Sequence, residues 1–193
     1  MRLTDEQREL QALARDFAEA ELRPHTAEWD ESRELPHEVF GKLAESGFLG
    51  MLVPEAHGGL GFDLRTYLLV LEELAWGDAA VALSVAIHNG PVVEILLRHG
   101  SDAQKERWLP ALASGDVLGA FALSEPDAGS DPSSISTIAA PDGDGWRLDG
   151  DKRWVTNGGR AGLVLTFART SEDGLGVFLV DPDASEYQVG QRE

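Results

Sequence analysis

The apolar pattern of this chain changes period near Gly115, and that change limits what the chain can fold into. Before Gly115 the apolar residues recur at helical spacing, and after it they come in short runs rich in strand formers. A face repeating every 3.6 residues and a face repeating every two residues bury different surfaces. Elements segregated in this way read as α+β: an N-terminal all-α domain over residues 1–115, then an antiparallel β-sandwich or barrel-like domain over residues 116–193. A length of 193 residues accommodates both.

The helical half carries its own start signals. Thr4 and Gln7 form a capping-box pattern ahead of Leu10, Leu13, Ala14, Phe17, Ala18 and Leu22, which fall on one helical face. Pro36 opens a second helix carrying Val39, Phe40, Leu43 and Ala44. HGGLGFD at residues 57–63 is a turn, and Asp63 is placed to cap a helix through Leu68, Leu71 and Leu74 to Gly77. Residues 79–99 form a more apolar stretch, with Gly90 and Pro91 as a break or kink. Ser101 and Gln104 repeat the capping box ahead of Trp108 and Leu112.

In the second half, strand-like runs cover residues 117–123, 136–140, 146–148, 153–156, 163–168 and 176–180, separated by turn clusters at 141–145 and 171–174. Residues 186–190 read as a further strand or its approach. A sandwich of this kind commonly needs about seven strands. The runs counted here leave two readings open, a small complete sheet or a β domain that continues past this sequence.

Composition removes several function classes. A formal net charge of −18 argues against nucleic acid and anionic membrane surfaces as partners. The only lysines are Lys42, Lys105 and Lys152, so the acidic surface reads either as adaptation to salt or as an Arg-biased composition. With no Cys, a disulfide scaffold, a thiolate nucleophile and a Cys-ligated metal are excluded. The five histidines show no metal-ligand spacing, so no metal site is expected. The N-terminus is acidic and polar, unlike a signal peptide, and the apolar run at 79–87 is too short to span a bilayer. The expected location is the cytoplasm or an equivalent reducing compartment.

The sequence holds no G-x-G-x-x-G after a strand, no phosphate-binding loop ending in G-K-[ST], no H-E-x-x-H and no G-x-S-x-G. His88, in an apolar helix, is more often a satisfied core histidine than a base. Glu72 and Glu73 are adjacent, point in different directions on a helix and cannot form a facing dyad. Glu125 precedes Pro126 and reads as a turn-fixing residue rather than a proton acceptor. AGSD at residues 128–131 offers small residues and backbone N–H groups that can approach an anionic group closely, a weak signal by itself. On a strand, WVTN at residues 154–157 places Trp154 and Thr156 on one face. That pair suits a planar heteroaromatic ligand; equally, Trp154 can be core and Thr156 a pleat residue.

Taken in order, EELAWGD at 72–78, SDAQKERWLPALASGD at 101–116, GAFALSEPDAGSD at 119–131 and LDGDKRWVTNGG at 148–159 resemble successive landmarks of the acyl-CoA dehydrogenase family, as does HGGLG at 57–61. The resemblance runs over the whole chain. It implies a flavoprotein that binds FAD and performs α,β-dehydrogenation of an acyl-CoA thioester. A Glu carboxylate takes the α-proton, the β-hydride goes to the flavin, and electrons pass to an electron-transfer flavoprotein or similar acceptor. By motif match, Phe121, Leu123 and Ser124 line the pyrimidine side of the flavin, and Gly129 and Ser130 approach the pyrophosphate. Ser130 also borders the acyl-CoA site. Trp154, Val155 and Thr156 wrap the ring, with the Thr156 hydroxyl near its N5–O4 edge. Ser124 stands where Thr is usual and Asp127 where Gly is frequent.

In the family the catalytic Glu belongs to a C-terminal helical domain, so the resemblance assigns no catalytic residue to this chain and implies a truncated, inactive form of a full-length homo-oligomer. The alternatives are a non-catalytic ligand- or protein-binding module on the same scaffold, or an acyl-CoA oxidase-type flavoenzyme.

Overall fold

The computed structural model describes residues 2–171 and 174–190. It divides into two units, Met1–Val117 and Leu118–Glu193.

The first unit is helical. Helix α1 (Asp5–Phe17) starts at Thr4, whose hydroxyl accepts from the Gln7 amide (3.1 Å) while Gln7 Oε1 accepts from the Thr4 amide (3.2 Å). It runs on through a π-helical turn, Ala18–Leu22, and buries Ala14, Ala18 and Leu22. Leu13, expected on the same buried face, is exposed. A short helix the apolar pattern did not announce, α2 (Thr26–Ser32), follows and buries Trp29. Helix α3 (His37–Glu45) begins after Pro36 and buries Val39, Phe40 and Leu43. Helix α4 (Leu64–Gly77) is capped by Asp63, which accepts from the Thr66 amide (2.7 Å). Its last residue must be Gly: a Cβ at Gly77 would lie 2.8 Å from Ala18 Cβ, so the bare backbone lets α4 meet the end of α1.

Helices α5 (Ala79–Ile87) and α6 (Glu94–His99) are joined by a π-helical turn, His88–Val93, that contains Pro91. Proline has no N–H to give to the helical ladder, and the wider turn accommodates the loss. The 21-residue path Ala79–His99 is long and apolar enough to cross a membrane by length and composition, which the nine-residue run considered from sequence was not. Half of its most apolar window is buried inside the protein, and a core helix passes the same test. Helix α7 (Asp102–Ser114) opens on the Ser101–Gln104 capping box and ends at Gly115, in the left-handed region at φ 78°.

The second unit is built on a five-stranded sheet: β1 (Gly119–Ala122), β2 (Ile138–Asp142), β3 (Gly145–Asp149), β4 (Leu163–Arg169) and β5 (Leu175–Val180). β4 is central. It pairs with β1 in parallel, Gly119 opposite Leu163 through Ala122 opposite Thr166, and with β5 antiparallel, Val164 opposite Val180. A parallel bridge, Ile138 to Arg169, attaches the β2–β3 hairpin. The sheet is therefore mixed rather than antiparallel. Parallel pairing needs a long crossover, and residues 123–162 between β1 and β4 supply it; nothing in the local pattern of either strand records that choice.

Two expected strands do not form. Residues 153–156 are a bend and turn, and residues 186–190 carry no strand. The expected turn at 171–174 includes Glu172 and Asp173, which lie outside the described residues.

Candidate functional site

The crossover between β1 and β4 carries both motif segments. At the end of β1 the chain enters a tight turn in which the Glu125 amide donates to the Ala128 carbonyl (2.7 Å) and the Ala128 amide donates back (3.3 Å). Ala128 is buried; Gly129 and Ser130 are exposed. A Cβ added at Gly129 would meet nothing within 4 Å, so the backbone there faces open space. Asp131 caps the next short turn, accepting from the Ser133 amide (2.9 Å). The Ser133 hydroxyl and amide hold the Asp131 carboxyl below its usual range.

The second segment departs from expectation. Trp154 sits at φ 58° and Asn157 at φ 67°, both left-handed, so the alternation of a strand is broken and Trp154 and Thr156 do not share a strand face. The segment has other partners. The Arg153 amide donates to the Ser124 carbonyl (2.8 Å), the Gly158 amide closes a turn on the Val155 carbonyl (2.9 Å), and Asn157 Nδ2 donates to the Gly119 carbonyl (3.0 Å). The Tyr187 hydroxyl donates to the Gly158 carbonyl (2.9 Å), and burial raises its pKa. Val155 packs on a small core of Ala120, Ala122, Ala161 and Val164. Trp154 is 71% exposed. A large aromatic held in a conformation that costs about 1–3 kcal/mol, yet not buried, is not there for the core.

The eight sequence-designated residues do not all converge. Ser124 and Arg153 join the two segments through the backbone. Phe121 lies on the sheet face opposite Ala120 and Ala122, where its ring meets Phe167 edge-on (centroids 5.2 Å), so it does not share the Val155 side. Leu123 and Thr156 are half-buried, and the Leu123 carbonyl accepts from Lys152 Nζ (3.1 Å).

Sequence reasoning missed the group beneath the two segments. Glu125 is buried and its carboxylate accepts from the Ser136 amide and hydroxyl (2.6 Å each), from the Thr137 amide (3.1 Å) and hydroxyl, and from Lys152 Nζ (2.6 Å). Burial opposes its ionisation most, but Lys152 and the Ser136 and Thr137 donors outweigh that and hold the carboxyl far below the usual range. A carboxylate with its oxygens committed to five donors is not poised to take a proton. The Glu-Pro pair was readable as a turn-fixer; its partners at 136, 137 and 152 were not, because they approach only through the fold.

In the helical unit, His88 is fully buried and its Nε2 hydrogen-bonds the Leu112 carbonyl (3.1 Å), the satisfied core histidine expected. Burial lowers its pKa to about 4, against smaller opposing contributions from backbone hydrogen bonds to Leu112 and Leu49. Glu73 is likewise committed, accepting from Gln11 Nε2 (2.8 Å) and paired with Arg15. Among the described residues no group of three His, Cys, Asp or Glu side chains is arranged to hold a metal.

Residues 4–116 match the model of the acyl-CoA dehydrogenase N-terminal domain and residues 120–193 that of the acyl-CoA dehydrogenase middle domain. An acyl-CoA dehydrogenase of Bacillus subtilis is 36% identical over 100% of this chain and 52% of its own length. A glutaryl-CoA dehydrogenase from Mycobacterium smegmatis, solved in complex with FADH2, superposes with a TM-score of 0.88 at 38% identity, covering 94% of this chain and 46% of that one. A chain in a structure described as the electron transferring flavoprotein of Acidaminococcus fermentans superposes at 0.90 with 32% identity, over 94% of this chain and 49% of that one. The chain thus spans about half the length of the curated relatives it matches.

Proposed function

This chain belongs to the acyl-CoA dehydrogenase family, and from that premise we propose that it carries the flavin-facing part of an enzyme that dehydrogenates an acyl-CoA thioester at its α and β carbons. The observation that supports this best is Trp154, exposed on a left-handed backbone beside a loop whose main chain is tied to Ser124. Such a residue offers a ring face to a planar ligand. The open backbone at Gly129 and the exposed Ser130 suit close approach of a phosphate group. These residues fit FAD. When bound, FAD supplies the acceptor for the hydride that leaves the acyl chain.

In this reading Ser124 and Thr156 offer hydroxyls to the edge of the ring, Val155 backs it from the small core, and Ser130 faces both cofactor and acyl-CoA. Phe121 and Leu123 act through the shape of the β1 end rather than by direct contact. Electrons pass on to an electron-transfer flavoprotein or similar acceptor. The α-proton requires a base within hydrogen-bond reach. Glu125 and Glu73 are both committed elsewhere, so no base is assigned to these residues and the 193-residue chain is expected not to turn over acyl-CoA.

The test is a titration of the purified chain with FAD, followed by visible absorbance and equilibrium dialysis. Binding with a perturbed flavin spectrum is expected, weakened in Trp154→Ala and spectrally altered in Thr156→Val. Absence of FAD binding to the unsubstituted chain, or binding indifferent to both substitutions, overturns the reading of these loops.

A further inference from the structure

The geometry points to Glu125 and Lys152 as a positioning pair, a buried tie that sets the 124–131 loop against the 153–159 loop; the inference rests on the flavin reading of those loops. Three consecutive residues at the entry to the first loop, 123–125, are held by two consecutive residues, 152 and 153, at the entry to the second. Lys152 Nζ donates to the Leu123 carbonyl (3.1 Å), the Arg153 amide to the Ser124 carbonyl (2.8 Å), and Lys152 Nζ again to Glu125 Oε1 (2.6 Å). The side chains are 2% exposed for Glu125 and 11% for Lys152. A third segment closes the arrangement. Ser136 and Thr137 give the carboxylate their amides and hydroxyls, and the chain leading to Lys152 passes so close to Thr137 that a Cβ at Gly150 would lie 2.7 Å from Thr137 Cα. Arg169 of β4 fixes that segment in turn, donating to the Ile135 and Ser133 carbonyls.

A buried ion pair is a poor route to stability, because well-packed apolar residues of similar volume often do as well or better. What it does supply is direction. Five donors aimed at one carboxylate leave it a single orientation, and the pair transmits that orientation to both loops. The pair is largely buried and formally neutral. It acts through Ser124 and Trp154, not by touching the reacting atoms.

The measurement is amide hydrogen exchange on the unsubstituted chain and on E125Q, K152M and the double variant, with FAD affinity and flavin spectrum measured on the same samples. The amides of residues 127–131 and of residues 153–159 are expected to exchange about tenfold faster in either single variant, as loss of a charge-assisted hydrogen bond implies. The double variant is expected to be no faster than the singles, and K152R to recover part of the protection because it restores a cation. FAD affinity is expected to fall about tenfold with an altered flavin spectrum. Loosening of one loop while the other keeps its exchange rate overturns the tie. Loosening of both with unchanged flavin affinity and spectrum overturns its positioning role. If the unsubstituted chain binds no FAD, the flavin reading and the positioning role fail, and the exchange data still decide the tie. If E125Q does not fold, S136A removes one hydroxyl donor and keeps the ion pair; the same two loops should loosen by a smaller factor, and loosening confined to residues 136–137 overturns the tie.

Discussion

In the helical unit two fully buried polar side chains of the π-helical turn face backbone. His88 meets the Leu112 carbonyl, and Asn89 spans the Phe48 carbonyl and the Leu52 amide (2.9 and 3.2 Å), so both stitch the π-helical turn to its neighbours in uncharged form. In the β unit a buried polar group is ionised: Glu125 draws on a lysine, two hydroxyls and two amides from two separate stretches of chain, 136–137 and 152. Helices satisfy their own main chain, so the first unit has only a few irregular points to close. A unit whose candidate site is made of loops has no ladder there to fix it, and side-chain electrostatics take over.

The contrast breaks most directly at its charged end. Glu125→Ala leaves Lys152 buried without its partner and should cost about 3–5 kcal/mol, read as a drop in the denaturant midpoint; a loss below about 1 kcal/mol would mean that the pair is solvated in solution.

Acid separates the two units next. His88 is neutral when folded, with its pKa moved from 6.5 to about 4, so the unfolded chain binds the proton first. Its contribution is present above pH 6.5 and is lost as pH falls from there towards 4, to a full extent of about 3 kcal/mol. Glu125 is also depressed, from 4.5, so its contribution persists through that window and is lost only as pH falls below 4.5. Stability measured against pH should therefore flatten between 6.5 and 4 in His88→Gln, and only below 4.5 in Glu125→Gln. Matching profiles for the two variants would erase the distinction.

Smaller effects sharpen it. Thr4→Ala or Ser101→Ala should cost about 1 kcal/mol each in chemical denaturation, because each ends a reciprocal capping box. Trp154→Ala should change stability by no more than about 0.5 kcal/mol, since the ring is exposed, little packing is lost, and Ala keeps the Cβ that makes the left-handed backbone costly. A large destabilisation would make Trp154 a structural residue after all.

The helix starts were legible because capping is local: Thr4 with Gln7, Asp63 with Thr66, and Ser101 with Gln104 lie three residues apart. So was the turn-fixing character of Glu125 and the core placement of His88. Leu13 was misplaced because the buried stripe of α1 follows where α4 packs, not the apolar pattern alone.

By itself the sequence determined the division into a helical and a β half, the capped helix ends, the absence of thiol chemistry and the family's motif order, all of which depend on residues near one another in the chain. Tertiary structure decided the rest. The parallel pairing of β1 with β4 depends on a crossover of some forty residues, and the β pattern of Trp154 to Asn157 yielded to a left-handed turn held at its flanks by the Arg153 amide on Ser124 and Tyr187 on the Gly158 carbonyl, and from within by the Asn157 side chain on Gly119. Glu125 found Ser136, Thr137 and Lys152 only once those segments were folded together. Pairing energies between distant residues exceed local propensity wherever a buried polar group must be satisfied, and local sequence does not record which partner will arrive.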